Sequence, residues 1–202
     1  MSIPQLWVFA GPNGAGKSTL ARRYAAARIE LVNPDDIAFK LNPNHRGDPV
    51  IMLKAGREAI RQRNQLLKSG KHFGIETTLS GHSELAFMKE AREAGYKVNL
   101  VFVGISSVIQ SERRVDERVR LGGHPVPESD LKRRFERSMG NLADAMGIAH
   151  RTLVFDNSGK RRRFILGREN GRSKHISRKM PAWAKNAIPR DYRRHRSNDL
   201  GL

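Results

Sequence analysis

Gly11-Pro12-Asn13-Gly14-Ala15-Gly16-Lys17-Ser18-Thr19 fits the pattern G-x-x-x-x-G-K-[ST] of a phosphate-binding loop. Leu6–Ala10 before it reads as a short buried strand. Leu20–Ala26 after it reads as the opening of a helix. Glycines let the backbone curl so that successive N–H groups point inward at a phosphate. The start of the helix adds partial positive charge. In such a loop Lys17 reaches the β- and γ-phosphates and Ser18 holds Mg²⁺, so the pattern predicts ATP and Mg²⁺ as ligands.

Outward from the loop, strand and helix patterns alternate. Ile29–Val32 reads as a second strand. It runs into Asn33-Pro34-Asp35-Asp36, a turn signature with two carboxylates at a strand's C-terminal end, the edge where open α/β sheets bind ligands. Asn42–Gly47 reads as a loop. Asp48 reads as an N-cap with Pro49 behind it, starting a helix that closes at Gly70. His72–Thr78 is a third strand, followed by a helix from Ser83 to Ala94. Lys97–Ile105 is apolar on both faces, as a central parallel strand is. Val108–Leu121 reads as a charged helix, Gly122–Pro127 as a break, and Glu128–Met146 as one further helix. Thr152–Phe155 is a strand, and Arg163–Leu166 suits an edge strand. Beyond Glu169 the periodicity fades, and the segment reads as irregular, anchored by Trp183. The pattern predicts a three-layer α/β sandwich with a mostly parallel sheet. It divides the chain into a phosphate-loop domain, 1–168, and a basic tail, 169–202.

The chain has 202 residues, enough for a core of ordinary size, and no cysteine, which excludes disulfides and thiolate metal sites. No apolar run approaches a membrane span, and the N-terminus lacks a signal pattern, so a soluble, cytoplasmic protein is expected. The net charge of +18 is uneven. Asn157–Leu202 holds 14 Lys and Arg against 3 acids, whereas the first 156 residues hold 24 against 17. Such a tail can bind nucleic acid or an acidic partner.

Phosphoryl transfer needs a phosphate cradle, a metal, a carboxylate facing the acceptor hydroxyl, and cations for the equatorial oxygens. Asp35 or Asp36 can supply the carboxylate. Glu76 and Thr78, on alternate residues, suit a hydroxylated substrate, and Glu76 alternatively reaches Mg²⁺ through water. Arg113, Arg114, Arg118, Arg120, Arg133, Arg134 and Arg137 flank the Gly-Gly-His-Pro break, as a hinged lid over a triphosphate would. His124 suits a structural hydrogen bond. Leu79-Ser80-Gly81-His82-Ser83 imitates the signature loop of transporter-type ATPases. The strand at 98–104 ends in Gly104-Ile105-Ser106, however, without the acidic pair those enzymes need.

Taken together, the stretches Gly11–Thr19, Asn33–Ala38, Glu76–Gly81, Arg118-Val119, Gly122–Glu128, Arg133–Ser138 and Asp156–Ser158 resemble the zeta toxin family of kinases, in its short stand-alone branch. The resemblance covers residues 4–168. It implies a P-loop kinase fold with a helical lid. Gly11, Pro12, Asn13, Gly14, Ala15, Gly16, Lys17, Ser18 and Thr19 would bind ATP, Ser18 would hold Mg²⁺ and Asp35 would be the base. Glu76 and Thr78 would hold the substrate. Arg118 would be one lid cation and Arg134, or its neighbour Arg133, the other. Zeta toxins phosphorylate a sugar hydroxyl of UDP-N-acetylglucosamine and are held inactive by a small helical antitoxin, so both enter as expectations. Two alternatives stay open. One is a nucleoside, nucleotide or antibiotic kinase. The other is a nucleotide-gated ATPase that contacts nucleic acid weakly through the tail.

Overall fold

The computed structural model describes residues 3–25, 29–123 and 125–194. The chain runs β1 (Gln5–Ala10), α1 (Lys17–Ala25), β2 (Glu30–Val32), α2 (Pro34–Leu41), α3 (Pro49–Lys68), β3 (Phe73–Thr77), α4 (His82–Glu93) and β4 (Lys97–Gly104). It continues through α5 (Val108–Arg120), α6 (Glu128–Gly140), α7 (Leu142–Ile148), β5 (Arg151–Asp156), β6 (Arg163–Glu169), β7 (Arg172–Ile176) and α8 (Ala182–Ala187). The strands form one seven-stranded sheet in the order β2-β3-β1-β4-β5-β6-β7. β1 to β5 are parallel, and β6 and β7 are antiparallel. The expected α/β sandwich is therefore present, with β1 and its loop near the middle.

Alternation along the central strands sends side chains to two layers. Leu6, Val8, Leu100, Phe102 and Val154 face a large core with Ala55 and Ala59 of α3, Phe87 and Met88 of α4, Leu142 of α7 and Trp183 of α8. Trp7, Phe9 and Val101 face the other way, onto Ala21 and Tyr24 of α1. Asp48 caps α3, its carboxylate accepting from the Val50 and Ile51 amides, with Pro49 in the first turn as expected. No helix among the described residues is long and apolar enough to cross a membrane.

Four local expectations are corrected. Asn33–Asp36 is the cap and first turn of α2. Asn33 Oδ1 accepts from the Asp35 amide, and Pro34 sits where a missing N–H costs nothing. The stretch Glu128–Met146 is two helices, divided at Asn141, whose side-chain Nδ2 donates to the Leu79 carbonyl at 2.9 Å. β6 lies inside the sheet, between β5 and β7. Finally, the segment past Glu169 carries β7 and α8 in place of irregular chain. The register shift between Gly167 and Arg168 breaks the period-two pattern that would reveal β7. Trp183 does anchor the segment: it is buried, packs on Phe102, and donates from Nε1 to Asp156 at 3.0 Å. Its ring occupies the space a Cβ on Gly104 would need, 2.3 Å away. The expectation for His124 lies outside the described residues.

Candidate active site

The loop between β1 and α1 is held by its neighbours in the sheet. Gly11 has φ +136°, and a Cβ there would sit 2.1 Å from the Val103 carbonyl oxygen, so only glycine lets the chain pass β4 this closely. Three side chains brace the loop's carbonyls. Ser111 donates to Asn13 at 2.7 Å, Arg114 to Gly14 at 3.4 Å, and Asn157 to Ala15 at 2.9 Å. With carbonyls tied outward, the amides are free to face the concavity. Lys17 is buried and its Nζ donates to the Pro12 carbonyl at 3.1 Å.

At the loop's mouth the ends of β1, β2 and β3 bring acids together. Glu76 is on β3 opposite Phe9 of β1. Its Oε1 accepts from Ser18 Oγ at 2.6 Å and its Oε2 from Asn33 Nδ2 at 2.9 Å. Burial pushes the Glu76 carboxyl above its ordinary value. Lys17 and Ser18 oppose that shift, and the charges of Asp35 and Asp36 reinforce it. Burial likewise pulls the Lys17 ammonium down, while Glu76 and Asp35 pull it up and Arg118 adds to the lowering. Lys17, Glu76, Asp35 and Arg118 therefore share one electrostatic environment. The adjacent acids divide: Asp36 pairs with Arg22 of α1 at 2.5 Å, and Asp35 is the one whose charge reaches Lys17.

The arginines also sort by position. Arg114 turns toward the loop, and the charge of Arg118 is felt at Lys17. Arg113 is exposed and pairs with Glu117 at 3.7 Å, and Arg120 is exposed. Arg133 and Arg134 both reach Asp130 on their own helix, at 2.7 and 3.2 Å. Thr78 lies just past the end of β3, its hydroxyl 2.8 Å from that of Ser80. Leu79 between them is buried at φ +57°, a strained corner that turns the two hydroxyls out of the strand.

Three residues here lie outside the expected site. Asn33 bridges α2 and Glu76; Asn before Pro is a readable cap signal, but its second bond crosses 43 residues. Ser111 and Asn157 brace the loop across 98 and 142 residues, and no local pattern announces such contacts.

Ser18 Oγ and the Glu76 carboxylate are hard oxygen donors side by side at the mouth of a phosphate cradle, a set suited to Mg²⁺. Among the described residues no cluster of three or more His, Cys, Asp or Glu forms a metal site.

A glycine cradle on a buried β1, a buried lysine and an acid cluster at the parallel strands' C-terminal edge define an α/β P-loop protein. The AAA_33 family model, described as an AAA domain, matches residues 6–139. The chain belongs to that family. An uncharacterized protein of Haemophilus influenzae is 36% identical over 138 residues, 65% of this chain and 97% of its own. Among solved structures, the PezAT chromosomal toxin–antitoxin system of Streptococcus pneumoniae superposes with a TM-score of 0.59 at 17% identity, over 78% of this chain and 69% of that one. AvrRxo1-ORF1:-ORF2 with ATP gives 0.69 at 16% identity, over 95% and 75%. A kinase-like protein of Chloroflexus aurantiacus gives 0.55 at 16% identity, over 78% and 90%. The fold is that of the zeta-toxin-like P-loop kinases.

Proposed function

We propose that the protein is an ATP-dependent phosphotransferase that moves the γ-phosphate to a hydroxyl of a small polar acceptor, a nucleotide sugar such as UDP-N-acetylglucosamine. The observation that carries this is the acid cluster at the mouth of the cradle: Glu76 accepts from Ser18 and from Asn33, and Asn33 caps the helix whose first turn holds Asp35. A pure nucleotide switch needs no acceptor-activating base beside its cradle.

In this reading Asp35 accepts the acceptor's hydroxyl proton. The freed oxygen attacks the γ-phosphorus, the bond to the β-bridging oxygen breaks, and ADP leaves with that electron pair. Lys17 and Arg118 offset charge on the equatorial oxygens. Glu76 and Thr78 hold acceptor hydroxyls, and Arg134, or Arg133, comes over the triphosphate only after exchanging Asp130 for phosphate. Ser18 would hold Mg²⁺, with Glu76 as a second ligand in place of its acceptor role, and the ion would supply positive charge to offset the phosphates. An ATP-dependent reaction and a cysteine-free chain suit the cytoplasm. The PezAT likeness supports a small antitoxin as partner.

The test is transfer from γ-labelled ATP to a panel of UDP-N-acetylglucosamine, simple sugars, nucleosides and aminoglycosides, with Asp35→Asn beside the native protein. Label on the nucleotide sugar, reduced about a hundredfold in Asp35→Asn with nucleotide binding retained, is expected. Label on a nucleoside or antibiotic would replace the acceptor class. Label released only as free phosphate would overturn the transferase reading.

A further inference from the structure

The sheet's α1 side changes character beyond β4. α1 lies over β1, β2 and β3, and Phe135 of α6 joins the cluster that reaches Phe155 at the upper end of β5. From there to β7, the edge strand, exposure rises among the described residues: Leu153 and Phe155 are half-buried against the α1-side clusters, Phe164 is 39% exposed and His175 is exposed.

The strand register sets what this face displays. Phe155 pairs with Phe164, Leu153 with Gly167, and Gly167 with His175. The Phe155 and Phe164 rings are 5.3 Å apart. Gly167 leaves the space that the Phe164 ring fills, since a Cβ there would meet its tip at 2.8 Å. Phe164 thus lies across β6 and stacks on His175, centroids 4.7 Å apart and planes within 15°. The Arg162 guanidinium sits over Phe155 at 5.8 Å. Three rings therefore run in a row across three strands, a span of about 10 Å.

The surroundings are strongly cationic. Between Asn157 and Arg178 there are eight Lys and Arg, and Glu169 is the single acid. Glu169 is already shared by Arg151 at 2.7 Å and Lys97 at 3.2 Å. Arg163 is committed to Asp156, and Arg168 to the Tyr192 ring. Lys160, Arg161, Arg172, Lys174 and Arg178 are exposed. A row of rings on an open sheet offers stacking to flat, apolar faces, and the fringe of cations offers charge to a polyanion. A small acidic metabolite needs only the second feature, and a duplex hides its base faces from the first.

We propose that the open face of β5, β6 and β7 is a platform for single-stranded nucleic acid, independent of the phosphate-transfer site. Bases stack on the ring faces that the Phe164–His175 pair leaves uncovered, and the backbone runs along the basic fringe.

The test is fluorescence anisotropy of labelled oligouridine and oligothymidine dodecamers on the full chain at about 150 mM salt, where remote charges are screened. A duplex of equal length and phosphatidylserine vesicles serve as competitors. Single strands are expected to bind more tightly than duplex. Phe164→Ala and His175→Ala, both at exposed positions, should each weaken binding roughly 5- to 100-fold, the range of one stacked base. Phe164→Tyr should restore it, and Lys17→Ala should bind as the native chain does. Arg172→Gln with Lys174→Gln should flatten the salt dependence. Equal binding of duplex and single strand, unmoved by Phe164→Ala, would overturn the proposal in favour of plain charge attraction. So would binding to vesicles without oligonucleotide, or no oligonucleotide binding at this salt.

Discussion

The two flanks of the sheet solve opposite problems. On the β2-β3-β1 flank, charged groups are brought together and satisfied by one another. Lys17 is buried, Glu76 is bonded on both oxygens, and Asn33 has an amide bond at each end. On the β5-β6-β7 flank, cations outnumber acids and aromatic rings face water. The difference shows how one sheet can hold both a dry site and a wet surface. A parallel strand edge with glycine-rich turns lets backbone and side chains close around charge, whereas an antiparallel edge leaves one face uncovered. Removing a charge from the first flank leaves its buried partner uncompensated, whereas solvent screens each charge on the second.

The largest effect that follows is at Lys17. Lys17→Ala removes the cation toward which Glu76 and Asp35 converge, and phosphate transfer should fall on the order of a thousandfold or more. A steady-state assay with labelled ATP checks it. Near-native turnover would mean that the buried lysine is structural and that the two flanks do not differ in chemistry.

Asn33→Asp sharpens the contrast. The cap on α2 survives, because a carboxylate oxygen still accepts from the Asp35 amide, but the donor to Glu76 becomes an acceptor. Transfer should drop about tenfold. A second carboxylate beside Glu76 pushes its pKa further up, so the acid limb of the pH–rate profile should move to higher pH. Asn33→Ser, which keeps a cap without the added charge, should lose activity without moving that limb. Equal profiles for the two variants would reduce Asn33 to a cap.

The smallest effect links the flanks. Gly104→Ala places a methyl 2.3 Å from the Trp183 ring, and α8 must shift to admit it. A loss of about 1–3 kcal/mol is expected, read as a lowered Tm. An unchanged Tm would mean that the C-terminal segment adds little to the body's stability.

The first flank was largely legible in the sequence because its information is local. The phosphate loop, Asp35 and Glu76 sit in short stretches whose residue types state their chemistry. The order of strands and helices was equally readable, since the apolar runs of β1 and β4 are buried on both faces. Less was legible where contacts are distant. Asn157 gives no hint in its own neighbourhood that it braces Ala15. β7 hides behind a bulge and a charged edge, and the short α8 depends on packing more than on periodicity. The ring row is invisible in one dimension because Phe155, Phe164 and His175 become neighbours only through antiparallel pairing.

The buried Asp156 stands where the flanks join. It takes hydrogen bonds from Ser158, Arg163 and Trp183, and these donors outweigh burial and hold its carboxyl below the ordinary range. The next residue, Asn157, ties down the loop that began at Gly11. On a ribosome, that ordering has a consequence. The phosphate loop is made before its last brace, which waits for Asn157 just past the end of β5, and the Asp156 carboxylate beside it waits for Trp183. A nascent chain thus carries its nucleotide loop without its last brace until β5 and α8 have both emerged.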